Sequence, residues 1–255
     1  MIFLQNVRAH WYKIQASKIK WLHICIPMLG IILFLFYYHG KTVMTSEAKL
    51  DFYIQAICCV FPVAIAIVTA MLYEQDAKAG NFQMILSIPM KRVFGHITNL
   101  LALLMMGFLG TFLAFTGFGI GFNCLKEGSF SVSYYMLQTL VLFLSNFSTY
   151  LFLYIITYTF GMYAGLGMGL VGSLSSALCI LPLADGIWNY IPFSYGIRIS
   201  VGYFYSTLAT AGAEEGAFCR NVTGGLKSVV ILTGILCFIF LWWAEKWQNK
   251  HRIEA

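Results

Sequence analysis

Long runs of apolar residues alternate with short polar segments along the whole chain. Six of these runs contain no Asp, Glu, Lys or Arg and are 17 to 25 residues long. Because about 20 helical residues cross the hydrocarbon core of a bilayer, each run is predicted to form a membrane-spanning helix. The alternation of apolar and polar residues that is typical of a transmembrane barrel does not occur in them. The predicted spans cover residues 21–38, 52–73, 97–120, 134–158, 162–183 and 228–244.

Composition supports a membrane protein. Of the 255 residues, 60% are hydrophobic and 10% are charged, and the mean hydropathy is +0.77. A soluble domain carries about 25% charged residues, so these few charges could not coat a water-facing surface of this size. A soluble enzyme, a nucleic-acid-binding domain and a disordered tail are therefore excluded. The sequence predicts an all-α membrane protein that forms one transmembrane domain over residues 1–255.

The basic residues predict the orientation of the spans. With the N-terminus in the cytosol, ten basic and four acidic residues lie inside, and six of each lie outside. The whole formal charge of +6 then falls on the cytosolic side, as the positive-inside rule requires. We expect a multi-pass protein of the cell membrane with both termini in the cytoplasm, and no nucleic-acid partner is needed to explain the charge.

Residues 1–20 are predicted to form an amphipathic helix on the inner membrane surface. Apolar residues recur there at helical spacing while the basic residues occupy the rest of the helical wheel, an arrangement typical of an interfacial helix. The alternative is an irregular start to the first span. The apolar positions are Phe3, Leu4, Val7, Trp11 and Ile14.

Residues 184–227 form the longest segment outside a predicted span, and we expect them on the outer side. Short helices that lie on or dip into the outer leaflet are predicted, anchored by Trp188 and Tyr190. A seventh span is the alternative, but Arg198 and Pro192 near its start weigh against it. It would also move the basic C-terminus outside.

Glycine and cysteine suggest contacts between parts of the chain. Gly161, Gly165 and Gly169 are spaced four residues apart, which permits a close approach of another helix. That helix could belong to the same chain or to a second copy. Cys124 and Cys219 both fall in predicted outer segments, where a disulfide is one alternative and two free thiols the other.

The predicted spans lack the groups that drive many membrane reactions. Since no carboxylate or ammonium group lies inside them, no residue in the spans could carry a proton relay through carboxylates. Asn99 is a polar group at depth, and we expect it to form hydrogen bonds between helices. Glu214, Glu215 and Arg220 approximate the EExxxR pattern of a membrane-embedded protease, although the arginine comes one residue late.

The segment between the second and third spans has the pattern of a short amphipathic helix. Asn81 can cap such a helix, and Pro89 would end it. Its apolar face consists of Phe82, Ile85 and Leu86. Such a face suits the groove of a partner protein, and the alternative is a helix that rests on lipid.

These residues carry a resemblance to a known family. An acidic residue, a glycine and then Leu-x-x-Pro-x-x-Arg after the second of six spans resemble the ABC-2 family of ABC-transporter permeases. Residues 79–83 with Glu74, and the pattern Trp-x-x-Ile-Pro-x-Ser-Tyr at 188–195, are similar to permeases of lantibiotic-immunity transporters. Asp76 and Asn81 stand where many ABC-2 members have the second acid and the threonine of Glu-x-Glu-x-Gly-Thr.

The resemblance implies a transport subunit that takes its energy from another protein. In that family residues 74–92 would be the coupling loop against a cytosolic ABC ATPase, present in two copies, which binds ATP and Mg. A second related permease would complete the complex and cationic peptide would be its cargo. Another cargo (drug, lipid or polysaccharide) and a membrane-embedded protease are the alternatives. No catalytic, metal-ligating or cofactor-binding residue is expected in this chain.

The resemblance also implies which residues act. The coupling residues would be Glu74, Gly80, Phe82, Ile85, Leu86, Pro89 and Arg92. The outer residues that would meet the substrate are Trp188, Tyr190, Pro192 and Tyr195.

Overall fold

The computed structural model describes residues 2–41, 43–86, 92–128, 130–208 and 212–247, and within these ranges it contains helices and no strand. Three single 3₁₀ turns, at Pro182–Ala184, Trp188–Tyr190 and Pro192–Ser194, connect the helix that ends at Leu178 to the helix that begins at Tyr195. The helices are α1 Ile2–Gln15, α2 Ile19–Tyr38, α3 Ser46–Lys78, α4 Gln83–Leu86, α5 Arg92–Cys124, α6 Val132–Phe160, α7 Met162–Leu178, α8 Tyr195–Thr207 and α9 Ala213–Lys246.

Five of the described helices are long and apolar enough to cross a membrane, namely α2, α3, α5, α6 and α9. The all-helical prediction is thereby confirmed, and each predicted span falls on a helix. The fifth predicted span, 162–183, corresponds to the shorter apolar helix α7 of 17 residues. The last helix begins at Ala213, so residues 213–227 extend it instead of forming separate outer helices.

Local sequence explains where several helices begin and end. The Thr45 hydroxyl accepts a hydrogen bond from the Ala48 amide at 3.2 Å and so caps α3. Ser131 caps α6 in the same way through the Tyr134 amide at 3.3 Å. These side chains satisfy amide groups that have no partner inside the helix. Gly161, with a φ of 93°, separates α6 from α7.

Helix α3 lies at the centre of the bundle and packs most closely against α7. A Cβ at Gly169 of α7 would lie 2.2 Å from Cβ of Ala66 on α3, and one at Gly165 would lie 2.1 Å from the Thr157 hydroxyl oxygen on α6. The spaced glycines are therefore used for packing within this chain, which is the first of the two alternatives that the sequence allowed.

A single π-helical turn interrupts α5 at Leu113–Gly117. The Tyr53 hydroxyl of α3 donates to the Ala114 carbonyl of this turn at 2.6 Å. The Tyr53 ring also stacks on Phe118 with centroids 3.7 Å apart. The Ala114 carbonyl also accepts from the Phe118 amide, so the Tyr53 hydroxyl adds a second hydrogen bond that holds α3 against this turn.

Different helices meet at the two ends of the bundle. At one end, which we call the loop end, α1, α4 and the last turns of α3, α6 and α9 meet the first turn of α5. At the opposite end α2 and α5 finish and α3 begins, and Lys49 forms an ion pair with Glu127. Cys124 and Cys219 are free thiols.

Arg198 is completely buried in α8. Its guanidinium donates to Asp185 at 2.6 Å, to the Leu181 carbonyl at 2.8 Å and to the Cys179 carbonyl. An arginine can be buried in this way because its charge is paired and its donors are satisfied. With 13 residues, α8 is shorter than the roughly 20 residues that a span needs.

Candidate functional site

The chain reverses direction sharply between α3 and α4. Three successive residues have positive φ, namely Gly80 at 87°, Asn81 at 52° and Phe82 at 65°. The Phe82 amide donates to the Asp76 carbonyl at 2.9 Å, and the Asn81 amide donates to the Ala77 carbonyl at 3.0 Å. These bonds satisfy the last carbonyls of α3 and fix the direction in which the loop leaves it. The short helix then begins at Gln83, two residues after the predicted cap.

The apolar residues of this turn face into the bundle. Phe82 is 2% exposed and Ile85 is fully buried. The Phe82 ring lies 5.1 Å from Tyr73, 6.1 Å from Tyr158 and 5.4 Å from Trp247, measured between centroids. Phe82 thus joins the loop to the ends of three long helices.

A buried polar cluster lies beneath the turn and is centred on Asp76. Its carboxylate accepts hydrogen bonds from Lys13 at 2.5 Å, Tyr158 at 2.6 Å and Asn99 at 2.9 Å. The side chain of Asp76 is 1% exposed and that of Lys13 is 11% exposed. A buried carboxylate of this kind is retained only when it is paired and hydrogen-bonded, and here the donors come from α1, α5 and α6.

Asn99 connects the cluster to a second tyrosine. Its amide nitrogen donates to the hydroxyl of Tyr158 at 2.8 Å and to that of Tyr154 at 3.3 Å. The ring of His96 contacts the Tyr154 hydroxyl through Nδ1 at 3.1 Å. The expectation that Asn99 forms hydrogen bonds between helices is confirmed.

Helix α1 is attached to the end of α3 by both its backbone and its side chains. The side-chain amide of Gln75 donates through Nε2 to the Lys13 backbone carbonyl at 3.3 Å, next to the Lys13–Asp76 pair. His10 is completely buried on the same side of α1. Burial, and after it the positive charge of Lys13, lower the pKa of His10 to about 4. The imidazole is therefore neutral at pH 7.

The end of α9 closes the site. The Trp247 indole donates to the Tyr158 carbonyl at 2.8 Å, and Arg92 at the start of α5 donates to the Trp247 carbonyl at 3.4 Å. The Trp247 ring also packs edge-on against His96, with centroids 4.8 Å apart. The loop, α1, α3, α5, α6 and α9 therefore share one contact region, and a displacement of the loop would act on all of them.

The comparisons with known proteins agree with this architecture. Residues 7–176 match the model of a family described as "ABC-2 family transporter protein". This match covers two thirds of the chain and includes the whole of the loop. The chain belongs to the ABC-2 family of transporter proteins. No curated protein and no solved structure matches it.

Membership in the ABC-2 family establishes the general role. This ABC-2 protein is a membrane component of a transporter, and its several long apolar helices agree with a multi-pass membrane protein. The family implies that the chain works with the ATPase subunit of an ABC transporter. The match ends at residue 176 and so excludes the segment with Trp188 and Tyr195.

The structure separates the predicted coupling residues of the ABC-2 protein into two groups. Glu74 and Lys78 are exposed and form an ion pair at 2.6 Å across one helical turn, and Gly80 and Arg92 are exposed as well. Phe82 and Ile85 are buried in their own chain, so in this conformation neither is free to insert into a partner. Leu86 is the last residue of α4, and Pro89 lies outside the described residues.

The predicted outer residues are mostly internal. Trp188 is 1% exposed and donates to Asn221 of α9 at 2.7 Å, while the Tyr195 hydroxyl donates to the Asn189 carbonyl at 2.9 Å. Pro192 begins the last 3₁₀ turn. Tyr190 alone of these four predicted residues projects strongly from the surface, with 64% exposure.

Sequence reasoning missed the Asp76 cluster. Asp76 falls just beyond the predicted second span, in the predicted coupling loop, and nothing in its local sequence marks it as buried. The only local signal is that both residues are charged and lie on the predicted cytosolic side. Nothing in the sequence, however, indicates that Lys13 and Asp76 meet across 63 positions.

Proposed function

We propose that this chain is the permease subunit of an ATP-driven ABC exporter, and that the ATPase acts on it through residues 74–92. The observation that carries the proposal is the loop itself. It is a tight turn whose inner side chain, Phe82, contacts the ends of three long helices. A push on the turn would therefore reach the bundle through rigid packing, since packed interiors transmit displacement.

The two groups of loop residues take different parts in this proposal. The exposed residues Glu74, Gly80 and Arg92 would face the ATPase, together with Leu86 and Pro89. Phe82 and Ile85 would anchor the loop and pass its movement to α6 and α9. This division modifies the simple expectation that the whole apolar face docks into the partner.

The complex would contain four subunits. Two copies of a cytosolic ATPase would bind ATP and Mg, and a second related permease would pair with this chain. Both termini and the loop end would lie in the cytoplasm, which the +6 charge supports under the positive-inside rule. The bilayer in question would be the cell membrane.

The cargo would be a lantibiotic or a similar antimicrobial peptide expelled from the membrane, which would give immunity or resistance. Two features support this cargo. The first is the similarity of residues 188–195 to lantibiotic-immunity permeases. The second is an exposed apolar surface near that segment, where Leu183 is 88% and Ile187 is 56% exposed.

Two alternatives have less support. Another cargo, such as a drug, lipid or polysaccharide, would use the same coupling loop. A membrane-embedded protease would need a protected carboxylate, but Glu214 is exposed in the first turn of α9. No cluster of metal-ligating residues occurs in the part of the chain that the structure describes.

Co-purification tests the coupling role. The full chain is expressed with its cognate ABC ATPase, and the Glu74–Lys78 pair is reversed by Glu74→Lys with Lys78→Glu. We expect the yield of bound ATPase to fall about ten-fold, while membrane insertion stays normal. Lys126→Glu, an exposed charge at the opposite end, is the control and leaves the yield unchanged. Equal ATPase recovery from all three proteins would contradict the assignment.

A transport assay tests the cargo. The purified complex in proteoliposomes is given a cationic lantibiotic, a neutral drug or a polysaccharide, and ATP hydrolysis is measured. Stimulation by the peptide alone supports peptide export. Stimulation by another compound alone identifies the alternative cargo, and proteolysis without any ATPase would identify a protease.

A further inference from the structure

A polar cleft lies at the loop end, between the junction of α1 with α2 and the last turns of α3. Its volume is about 400 Å³, which is within the usual range for ligand pockets. One wall is the short turn between the two N-terminal helices, and the other is the face of α3 that leads into the coupling loop. We call this space the junction cleft, and its lining includes Lys18, Ile19, Met71, Glu74, Gln75 and Lys78.

Hydrogen bonds fix the two walls of the junction cleft. Gln75 of α3 donates through Nε2 to the Lys13 backbone carbonyl at 3.3 Å and so joins one wall to the other. In the turn itself the Ser17 hydroxyl donates to the Ile14 carbonyl at 2.7 Å and accepts from the Ile19 amide at 3.2 Å. The two walls are thus held at a fixed spacing by bonds within the chain.

The lining of the junction cleft carries a net positive charge. Lys18 and Lys78 line it together with one carboxylate, that of Glu74. Lys78 pairs with Glu74 at 2.6 Å, whereas none of the ion pairs within the described residues includes Lys18. The two ammonium groups and the one carboxylate sum to +1. A ligand with a single negative charge would therefore balance the lining.

The junction cleft lies at the boundary between hydrocarbon and headgroups. The apolar run of α2 begins at Trp21 and that of α3 ends at Tyr73, so both walls leave the hydrocarbon at this level. Trp21 is 60% exposed, and Nζ of Lys20 lies 5.4 Å from the centroid of its ring. Exposed tryptophan at the end of a span is typical of the headgroup level. Met71, inside the apolar run of α3, gives the cleft an apolar edge on the membrane side.

We propose that the junction cleft binds the headgroup of an anionic phospholipid whose phosphodiester carries a single negative charge. Lys18 and the remaining donors of Lys78 would contact the phosphate oxygens, since an ammonium group has three donors and Lys78 uses one of them on Glu74. The apolar edge at Met71 would meet the start of an acyl chain, which a soluble phosphate lacks. A zwitterionic lipid has no net charge to balance the +1 of the lining. The inference goes beyond the proposed function and does not depend on it.

Photocrosslinking of the full chain in lipid nanodiscs tests the site. The probe is phosphatidylglycerol with a photoreactive group in its headgroup, and phosphatidylcholine with the same group is the comparison. After digestion, mass spectrometry locates the adducts. We expect phosphatidylglycerol adducts to concentrate on residues 17–19 and 71–79, and phosphatidylcholine adducts to be spread over all helix ends at the headgroup level. Excess inorganic phosphate, compared with chloride at the same ionic strength, should leave the labelling unchanged.

Three substitutions sharpen the test. Lys18 is exposed, so its replacement should leave the fold intact, which the melting temperature checks. Lys18→Gln is expected to lower phosphatidylglycerol labelling of the cleft about five-fold, the effect of one lysine near an anionic lipid surface. Lys18→Arg keeps the charge and should keep the labelling. Lys246→Gln removes the same charge from an exposed position at the same end of the bundle but outside the cleft, and it is the control with no effect.

The outcomes separate a lipid site from its alternatives. Equal labelling of the cleft by both lipids, or an equal fall for Lys18→Gln and Lys246→Gln, would overturn the site, because either result indicates a diffuse basic surface. Displacement of the label by inorganic phosphate would assign the cleft to a soluble phosphate compound and overturn the lipid. Because the nanodiscs contain neither ATPase nor cargo, failure of the lipid site is distinguishable from failure of the proposed export.

Discussion

Lys13 in α1 and Asp76 at the end of α3 form an ion pair whose nitrogen and oxygen atoms are 2.5 Å apart, directly beneath the turn that we assign to the ATPase. The Asp76 carbonyl also accepts the Phe82 amide. One residue therefore holds the N-terminal helix through its side chain and the loop through its backbone. Movement of the loop and movement of α1 are linked at this point.

Removal of either charge should destabilise the protein strongly. Asp76→Ala leaves the Lys13 ammonium buried and unpaired, and we expect a loss of about 3–5 kcal/mol, measured by thermal unfolding in detergent. Glu74→Ala is the matched control, because it breaks the exposed Glu74–Lys78 pair and should cost less than about 1 kcal/mol. If both substitutions had the same small effect, the Lys13–Asp76 pair would not be the attachment that we describe.

The joint replacement of the pair separates stability from coupling. Lys13→Met with Asp76→Leu leaves no unpaired charge, so most of the stability lost in Asp76→Ala should return. The attachment of α1 to the loop would still be weakened. We therefore expect the double variant to be stable. In a complex that contains it, cargo should no longer stimulate ATP hydrolysis by the ATPase. A double variant with normal cargo response would show that the pair serves stability only.

Stability should depend on pH through His10. The pKa of His10 is lowered from 6.5 to about 4 in the folded chain, so the unfolded chain binds more protons between these values. The contribution of His10 is therefore complete above pH 6.5 and is lost as the pH falls toward 4. The loss amounts to about 3 kcal/mol. His10→Phe should flatten this part of the curve of melting temperature against pH, and an unchanged curve would exclude His10 as its source.

The contact between α3 and α7 should not tolerate a methyl group at Gly169. A Cβ there would lie 2.2 Å from Cβ of Ala66 and 3.2 Å from the Pro62 carbonyl oxygen, so Gly169→Ala is expected to cost about 1–3 kcal/mol. Gly167 on the same helix has nothing within 4 Å of its added Cβ. Gly167→Ala should therefore leave the melting temperature unchanged or raise it slightly. The reverse order of the two effects would show that α7 packs elsewhere.

Arg198 should be essential for the turns between α7 and α8. Arg198→Met leaves the Cys179 and Leu181 carbonyls without this donor and Asp185 without its cation. Because Asp185 is 47% exposed, the main cost is that of the two carbonyls, and a loss of about 1–3 kcal/mol is expected, together with faster proteolysis between residues 181 and 195. Arg220→Met, at an exposed position of α9, is the control and should change stability by less than about 0.5 kcal/mol. Equal proteolysis of both variants would contradict this role.

Apolar run length was sufficient to predict which segments are helices. The runs at 52–73 and 97–120 fall inside α3 and α5, because an apolar run of this length can satisfy its backbone in a membrane only as a helix. The predicted amphipathic segment at the N-terminus is α1, and the short predicted helix after residue 81 is α4. These features depend on neighbours in the chain, so the sequence shows them directly.

The direction in which side chains face depended on partners far along the chain. Phe82 has the spacing of a docking residue, yet its position against Trp247 is set by the end of α9. Tryptophan is a residue type that often anchors a protein at the membrane surface. The indole of Trp188, however, donates to Asn221 in the first turns of α9. Amphipathic spacing reveals that a helix has an apolar face and does not reveal what covers it.

The sequence by itself determined the class of this protein, its helices, its membership in the ABC-2 family and the position of the loop, since each of these rests on periodicity or on a local motif. Only the tertiary structure decided that Asp76 is buried beside Lys13 and that Phe82 and Ile85 face inward. The physical reason is that burial and pairing are properties of the space between helices. That space is created by residues that are far apart in the chain, such as Lys13 and Asp76 or Phe82 and Trp247.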